Sequence, residues 1–484
     1  MSLLQAEDIT IMDGKTTLLK PLSLRLDPGV PLVILGETGS GKSLMAQAIM
    51  GTLPATLTAK GRVAIGKQIL NAGAPDQFRG LWGRQIGVLP QEPWLSLDPL
   101  MRARNQVAET HTLVRGLHRQ QADRQARDDL AALGLAGAEN KYPHTLSGGM
   151  AQRVAIAAAR AGGARIVIAD EPTKGLDAPR RDDVAKLLMN EMGDSGGLLV
   201  ITHDLALAQR LGSQMIVLRR GEVVEQGDTH QIFASPRATY TQEFLEADPE
   251  RWSPKEPRSP TAPAVVTAHD LTVARANKTL FSGVSFSIAQ GHVFGVTGPS
   301  GCGKSSLGDA LLGLITPRAG QVLRRAGEAP HSFQKLYQDP VSAFPRKRSL
   351  GQTLDDTVAF SGCAHGKIDA LLEQLDLDPA LLKRRPDAVS GGELQRLSLL
   401  RVLLRTPSFI CADEPTSRLD PITQKRVIAL LTQTTQDDGV ALMLISHDTA
   451  LIRNTADTVL ALDAQSHENA TPDVPRQSVA IPTL

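Results

Sequence analysis

GETGSGKS, running from Gly36 to Ser43, follows the apolar run PLVILG and leads into SLMAQAIMGTL. A short β-branched run, a glycine-rich loop and an apolar segment of helical length read as strand, loop and helix. Gly36, Gly39 and Gly41 permit backbone angles that turn successive N–H groups toward phosphate oxygens. The following helix aims its positive end at the same anion. Lys42 offers a charge to the β- and γ-phosphates, and Ser43 a hydroxyl to Mg²⁺. One such loop is shared by many machines, so its surroundings decide the fold.

The loop occurs twice. GPSGCGKS spans Gly298 to Ser305, with Gly298, Gly301, Gly303, Lys304 and Ser305 in the same places. Three further landmarks repeat in the same order. LSGGMAQR (Leu146–Arg153) returns as VSGGELQR (Val389–Arg396), and IVIADEPTKGLD (Ile166–Asp177) as FICADEPTSRLD (Phe409–Asp420). LLVITHD, ending at Asp204, returns as LMLISHD, ending at Asp448. The second copy is shorter just after its loop. A duplicated module is the simplest reading, with short apolar strands between helices forming a mostly parallel, buried sheet. The stretch from Gln106 to Leu135 reads as a helical insertion.

ADPERWSPKEPRSPTAPAV separates the copies. Its prolines predict extended, poorly packed chain. The expected organisation is a first module over 1–246, a linker over 247–265, a second module over 266–464 and a disordered tail over 465–484.

Totals exclude several classes. The chain has 484 residues, of which 42% are hydrophobic, enough to fill real cores. Its 52 basic and 51 acidic residues nearly cancel, so no global charge draws it to nucleic acid. No apolar run approaches the roughly 18–20 residues that span a bilayer. MSLLQAEDIT lacks the basic start and apolar core of a signal peptide. The scattered Cys302, Cys363 and Cys411 form neither a disulfide framework nor a metal cluster and fit a reducing compartment.

Asp170 and Asp413 end apolar runs, where a strand would deliver them to a Mg²⁺ ion directly or through water. Glu171 and Glu414 follow and can polarise the attacking water. A helix-capping role would also suit Asp-Glu-Pro-Thr, but its recurrence after a phosphate loop favours the metal. His203 and His447 each close an apolar run, and their recurrence points to a γ-phosphate sensor that steadies the water. Gln91 and Gln338 stand at apparent strand ends. Ser147, Gly148 and Gly149, like Ser390, Gly391 and Gly392, combine a hydroxyl, bare amides and a helix start. A second anion clamp makes sense if it closes over a nucleotide held by the other copy.

The ordered set of phosphate loop, Gln, SGG, Asp-Glu, Leu-Asp (Leu176–Asp177, Leu419–Asp420) and His resembles the nucleotide-binding domains of ABC ATPases. The resemblance covers nearly the whole chain except the linker and the last residues. It implies an α/β fold of two tandem P-loop ABC ATPase domains. Each would have a mostly parallel core sheet, an antiparallel edge subdomain and a helical subdomain. It implies ATP and Mg²⁺ as ligands. The nucleotide would contact Gly36, Glu37, Thr38, Gly39, Ser40, Gly41, Lys42 and Ser43, and in the second copy Gly298, Pro299, Ser300, Gly301, Cys302, Gly303, Lys304 and Ser305. Gln91 and Gln338 would contact nucleotide and join Ser43 with Asp170, and Ser305 with Asp413, around the metal. Glu171, Glu414, His203 and His447 would be catalytic. The halves would form an intramolecular pseudo-dimer, each SGG clamp facing the opposite loop.

Finer features resemble the dipeptide, oligopeptide and nickel importers: GTLPATLTAKGRV, QEPWLSLDPLM, QDPVSAFPRKRSL and the extension GEVVEQGDTHQIFASPRATYTQEFLEA. That branch implies ATP hydrolysis coupled to transport, two membrane permeases, an extracytoplasmic solute-binding protein and a peripheral place on the cytoplasmic face of the inner membrane. Peptides are the first expectation for cargo, with nickel chelates, opines and modified sugars as alternatives. The soluble twin-ABC translation factors are the rival class, but their charged helical linker differs from this proline-spaced one. DNA-repair ABC ATPases carry zinc modules or coiled coils, and neither is evident. Three departures stand out. Met12 or Asp13, and Ala274 or Arg275, replace the aromatic residue that stacks on adenine, and Arg275 can stack instead. The second copy lacks a GEVVEQG-like strand. The cysteine group of some relatives is missing, so no iron–sulfur cluster is expected.

Overall fold

The computed structural model describes residues 2–174, 178–256, 262–275, 278–299 and 301–462. Leu176, Asp177, Ser300 and the expected disordered tail lie outside the described residues.

The first half is built on a six-stranded sheet in the order Glu222–Asp228, Gln214–Arg219, Leu32–Gly36, Gly197–Thr202, Ile166–Asp170, Ile86–Leu89. All pairings are parallel except the one between the first two strands. The central strands LVILG and GLLVIT are buried throughout, as continuous apolar runs require when both faces are covered. Ile34, Ile168 and Leu199 face one core, while Val33, Val167 and Val200 face the other. The first core is completed by an antiparallel sheet, Thr16–Leu26, Leu4–Asp13, Leu57–Ile65 and Gln68–Asn71. The predicted helical insertion is Ala103–Leu113 and Arg119–Ala132, packed with Gly148–Arg160 around Val107, Leu130 and Val154.

The second half repeats the plan with five parallel strands: Phe333–Leu336, Phe409–Asp413, Ala441–Ile445, Val293–Thr297 and Thr458–Ala461. Among the described residues it has no partner for the edge strand Glu222–Asp228, as the missing GEVVEQG segment predicts. Its antiparallel sheet has three strands, Lys278–Ala289, Ala264–Arg275 and Ala319–Arg324. The fourth strand of the first half has no counterpart there among the described residues, and the 3₁₀ turn Pro75–Leu81 shrinks to Pro330–Ser332, which accounts for the shorter spacing after the second loop.

Proline spacing does not leave the connection unpacked. Pro249 is buried in a 3₁₀ turn, Pro249–Arg251, capped by Asp248. Asn454 donates to the Pro249 carbonyl at 2.7 Å, and Lys255 pairs with Asp457 at 2.9 Å. Trp252 packs against the core of the second half around Leu394 and Leu451, and Ile422 of the second half packs against the first-half core that holds Val33 and Val200. Lys425 reaches the Glu246 carbonyl at 3.2 Å. The expectation of loose chain fails for residues 248–256 because Asn454 and Asp457 of the second half hold Pro249 and Lys255, and the second half's first strand already begins at Ala264.

Candidate nucleotide sites

Both glycine-rich loops sit between a buried parallel strand and a helix, Lys42–Met50 or Lys304–Leu311. Gly36 has no room for a side chain: a Cβ would lie 2.2 Å from the Leu218 carbonyl oxygen. Gly41 and Gly303 cap the helices in left-handed conformation, with φ of 100° and 108°. The Lys42 ammonium donates to the Gly36 and Glu37 carbonyls, both at 2.7 Å. Lys304 does likewise to Gly298 at 2.7 Å and Pro299 at 3.1 Å. Burial lowers the Lys42 pKa, opposed by the charges of Glu171, Asp170, Asp420 and Glu37. Asp420 belongs to the second half, so its carboxylate acts on the first loop. Ser40 and Cys302 are buried beneath their loops. Gly39 and Gly301 have open space where a Cβ would stand.

Ser305 donates to Asp413 at 3.0 Å, and in the first half the Ser43 hydroxyl stands on the side of Asp170. A hydroxyl and a carboxylate converging beside a phosphate loop are hard oxygen donors, a set that suits Mg²⁺. Burial raises both aspartate pKa values, against the pull of the serine hydroxyls.

Glu171 and Glu414 leave their strands in left-handed conformation, φ 48° and 50°. That turn, uncommon for a residue with a Cβ, swings each carboxylate toward the next strand. His203 Nδ1 lies 2.7 Å from Glu171 Oε1, and His447 Nδ1 2.9 Å from Glu414 Oε2. Thr202 donates to Glu171 at 3.0 Å. Asp170 and Asp413 end strands and do not cap helices, so the capping alternative fails for both. Burial would raise the Glu171 pKa, but the charge and hydrogen bond of His203 carry it below the usual value; burial would lower His203, and Glu171 carries it above. His447 is raised in the same way by Glu414.

Gln91 and Gln338 lie two residues beyond their strands and are exposed. Ser147 caps Gly148–Arg160 by accepting from Met150 N at 3.3 Å. Ser390 caps Gly391–Leu404, and its hydroxyl also donates to Glu393 at 2.8 Å. Gly148 and Gly149 have open space above them, whereas Gly391 and Gly392 approach Arg418 and Leu419. Among the described residues, no hydrogen bond joins either serine to the opposite loop. The halves do meet at a cleft of about 220 Å³, lined by Glu171, His203 and Arg181 on one side and Glu414, His447 and Gln424 on the other.

Sequence reasoning missed Tyr240. It lies in the extension helix Thr239–Glu246, and its hydroxyl accepts from Glu37 N at 3.3 Å, while Arg219 covers its ring at 4.6 Å. The extension GEVVEQGDTHQIFASPRATYTQEFLEA is visible in the sequence, but its contact with the loop is not. Arg275, expected beside the base, instead binds Ser306 at 3.2 Å and Asp309 at 3.0 Å. Its side chain is 59% exposed and remains open on one side.

Two P-loop ATPase modules in one chain are thus defined by fold and site. The ABC transporter family pattern matches residues 19–174 and 281–417, and the chain belongs to that family. It resembles the "Uncharacterized ABC transporter ATP-binding protein YejF" of Escherichia coli (strain K12), with 32% identity over 92% of this chain and 90% of the relative. The "Peptidoglycan transport ATP-binding protein YejF" of Agrobacterium fabrum shares 30% identity over 91% and 86%. The "Glutathione import ATP-binding protein GsiA" of Shigella dysenteriae serotype 1 shares 31% over 93% and 82%. The solved "RNase-L Inhibitor" aligns with a TM-score of 0.63 over 94% of this chain and 87% of that one, at 21% identity, which shows a common fold alone. The chain is an ATP-binding, ATP-hydrolysing transporter subunit, and such subunits work with membrane permeases.

Proposed function

We propose that this chain energises an importer of peptides or related small solutes, and that both of its ATP sites are competent. The end-to-end match of both modules to relatives named for glutathione import and peptidoglycan transport carries the reading. It would lie on the cytoplasmic face of the inner membrane, driving two permeases fed by an extracytoplasmic solute-binding protein.

In this reading ATP binds Gly36–Ser43 and Gly298–Ser305, and the halves close as an intramolecular pseudo-dimer. The shared cleft, and the charge of Asp420 that raises the Lys42 pKa, support it. Ser147–Gly149 and Ser390–Gly392 would then complete the opposite sites on closure. Ser43 with Asp170, and Ser305 with Asp413, would hold Mg²⁺, which would supply positive charge beside the phosphates, with Gln91 and Gln338 approaching as the halves close. Glu171 and Glu414 accept a proton from the attacking water. His203 and His447 keep those carboxylates aimed, and Lys42 and Lys304 steady the phosphates.

Uptake in cells lacking this chain tests the proposal, with labelled dipeptide, glutathione and nickel compared side by side. Loss of peptide or glutathione uptake, restored by the intact chain but not by the Lys42→Ala/Lys304→Ala double variant, is the expected result. Loss of nickel uptake alone would overturn the peptide assignment. No loss of any of the three would overturn the cargo class.

A further inference from the structure

The two metal-side environments differ in charge. In the second half, Lys335 Nζ lies 2.6 Å from Asp309 Oδ1 and 3.7 Å from Asp413 Oδ2. Arg275 holds the other Asp309 oxygen at 3.0 Å. Lys335, Asp309 and Asp413 are 10%, 12% and 5% exposed, so water screens their interactions little. The strand registers fix the counterparts. Lys335 faces Cys411 as Val88 faces Ile168, and Asp309 and Gln47 each stand five residues beyond their loop lysine. Arg275 and Asp13 both end the first antiparallel strand of their halves. The second site therefore has Arg, Asp and Lys where the first has Asp, Gln and Val: a net positive surrounding against a net negative one.

A buried ammonium beside a metal-binding carboxylate competes with a divalent cation for it and adds its own attraction for a polyphosphate. Resting on the nucleotide-site reading above, we propose that Lys335, held by Asp309, is a positioning residue that makes nucleotide binding at the second site less dependent on Mg²⁺ than at the first. Lys335 acts through Asp413 and occupies part of the field that the metal fills elsewhere. Asp309 keeps its ammonium in place, and Arg275 keeps Asp309 in place. The second site would then retain nucleotide when Mg²⁺ is scarce, while the first would release it.

Binding of a fluorescent ATP analogue, measured in Mg²⁺ and in EDTA, tests this without turnover. Lys42→Ala reports the second site and Lys304→Ala the first. The expected loss of affinity on removing Mg²⁺ is at least about fivefold smaller in Lys42→Ala than in Lys304→Ala. In the Lys42→Ala background, Asp309→Gln/Lys335→Val installs the first half's side chains and should raise the Mg²⁺ dependence about fivefold, whereas Lys335→Arg should keep it low. Equal Mg²⁺ dependence of the two sites overturns the inference even if the double variant does not fold. An unchanged dependence in a folded double variant also overturns it, leaving an ion pair that only holds the strand. If neither single-site protein binds the analogue in Mg²⁺, the nucleotide-site reading fails and the inference with it.

Discussion

His203 Nδ1 stands 2.7 Å from Glu171 Oε1, and the positive φ of Glu171 is what brings the two together. The same geometry recurs at Glu414 and His447. A carboxylate so aimed beside a phosphate loop can serve as the general base we propose. Glu171→Gln/Glu414→Gln keeps shape and loses charge. ATP hydrolysis should fall about 10²–10³-fold while ATP affinity stays within about twofold. Phosphate release and nucleotide binding measured on one preparation check this, and wild-type turnover would remove both glutamates from the mechanism.

The pair also sets a pH window. Glu171 is lowered from 4.5, so its contribution to stability is complete above about 4.5 and is lost as pH falls through its folded value. His203 is raised from 6.5, so its contribution is complete below about 6.5 and is lost as pH rises through its folded value. The melting difference between wild type and His203→Gln should therefore be largest between roughly pH 4.5 and 6.5 and shrink on either side. A difference independent of pH would mean that no ion pair forms.

The connection between halves is held by Lys255 on Asp457, whose side chain is 4% exposed. Lys255→Met leaves that carboxylate with the Val293 N–H, at 2.9 Å, as its main partner. The expected cost is about 3 kcal/mol, from uncovering a buried charge. Denaturant unfolding measures it, and protease cleavage near residue 255 should quicken. An unaltered unfolding midpoint would show that the segment bears no load.

Gly36→Ala tests the loop's backbone. The added methyl would meet the Leu218 carbonyl at 2.2 Å, a backbone atom that cannot swing away. Loss of nucleotide binding together with a stability loss of at least about 2 kcal/mol is expected. Unchanged binding and melting would mean that the strand and loop are less tightly joined than described.

Much of this was legible in the sequence because the motifs are local. Glycine loops, apolar strands ending in Asp-Glu and SGG helix starts each carry their conformation in a few adjacent residues. What escaped depends on distant partners. Tyr240 meets Glu37 only because the extension helix folds back over the core that holds Val33 and Val200, and no periodicity announces that. The proline-spaced segment reads as loose until Asn454 and Asp457 are known to wait beneath it. Arg275 looks free to stack on a base until Asp309, one turn along a helix, claims it. The charge of the second site is spread over three elements, so neither Asp309 nor Lys335 forms a motif alone.

The claim that one chain builds both ATP sites is tested most directly by counting nucleotide. Glu171→Gln/Glu414→Gln, saturated with ATP and Mg²⁺, should retain two ATP molecules per chain while light scattering shows a monomer. One ATP per chain, or dimerisation of whole chains on adding ATP, would contradict the intramolecular pseudo-dimer.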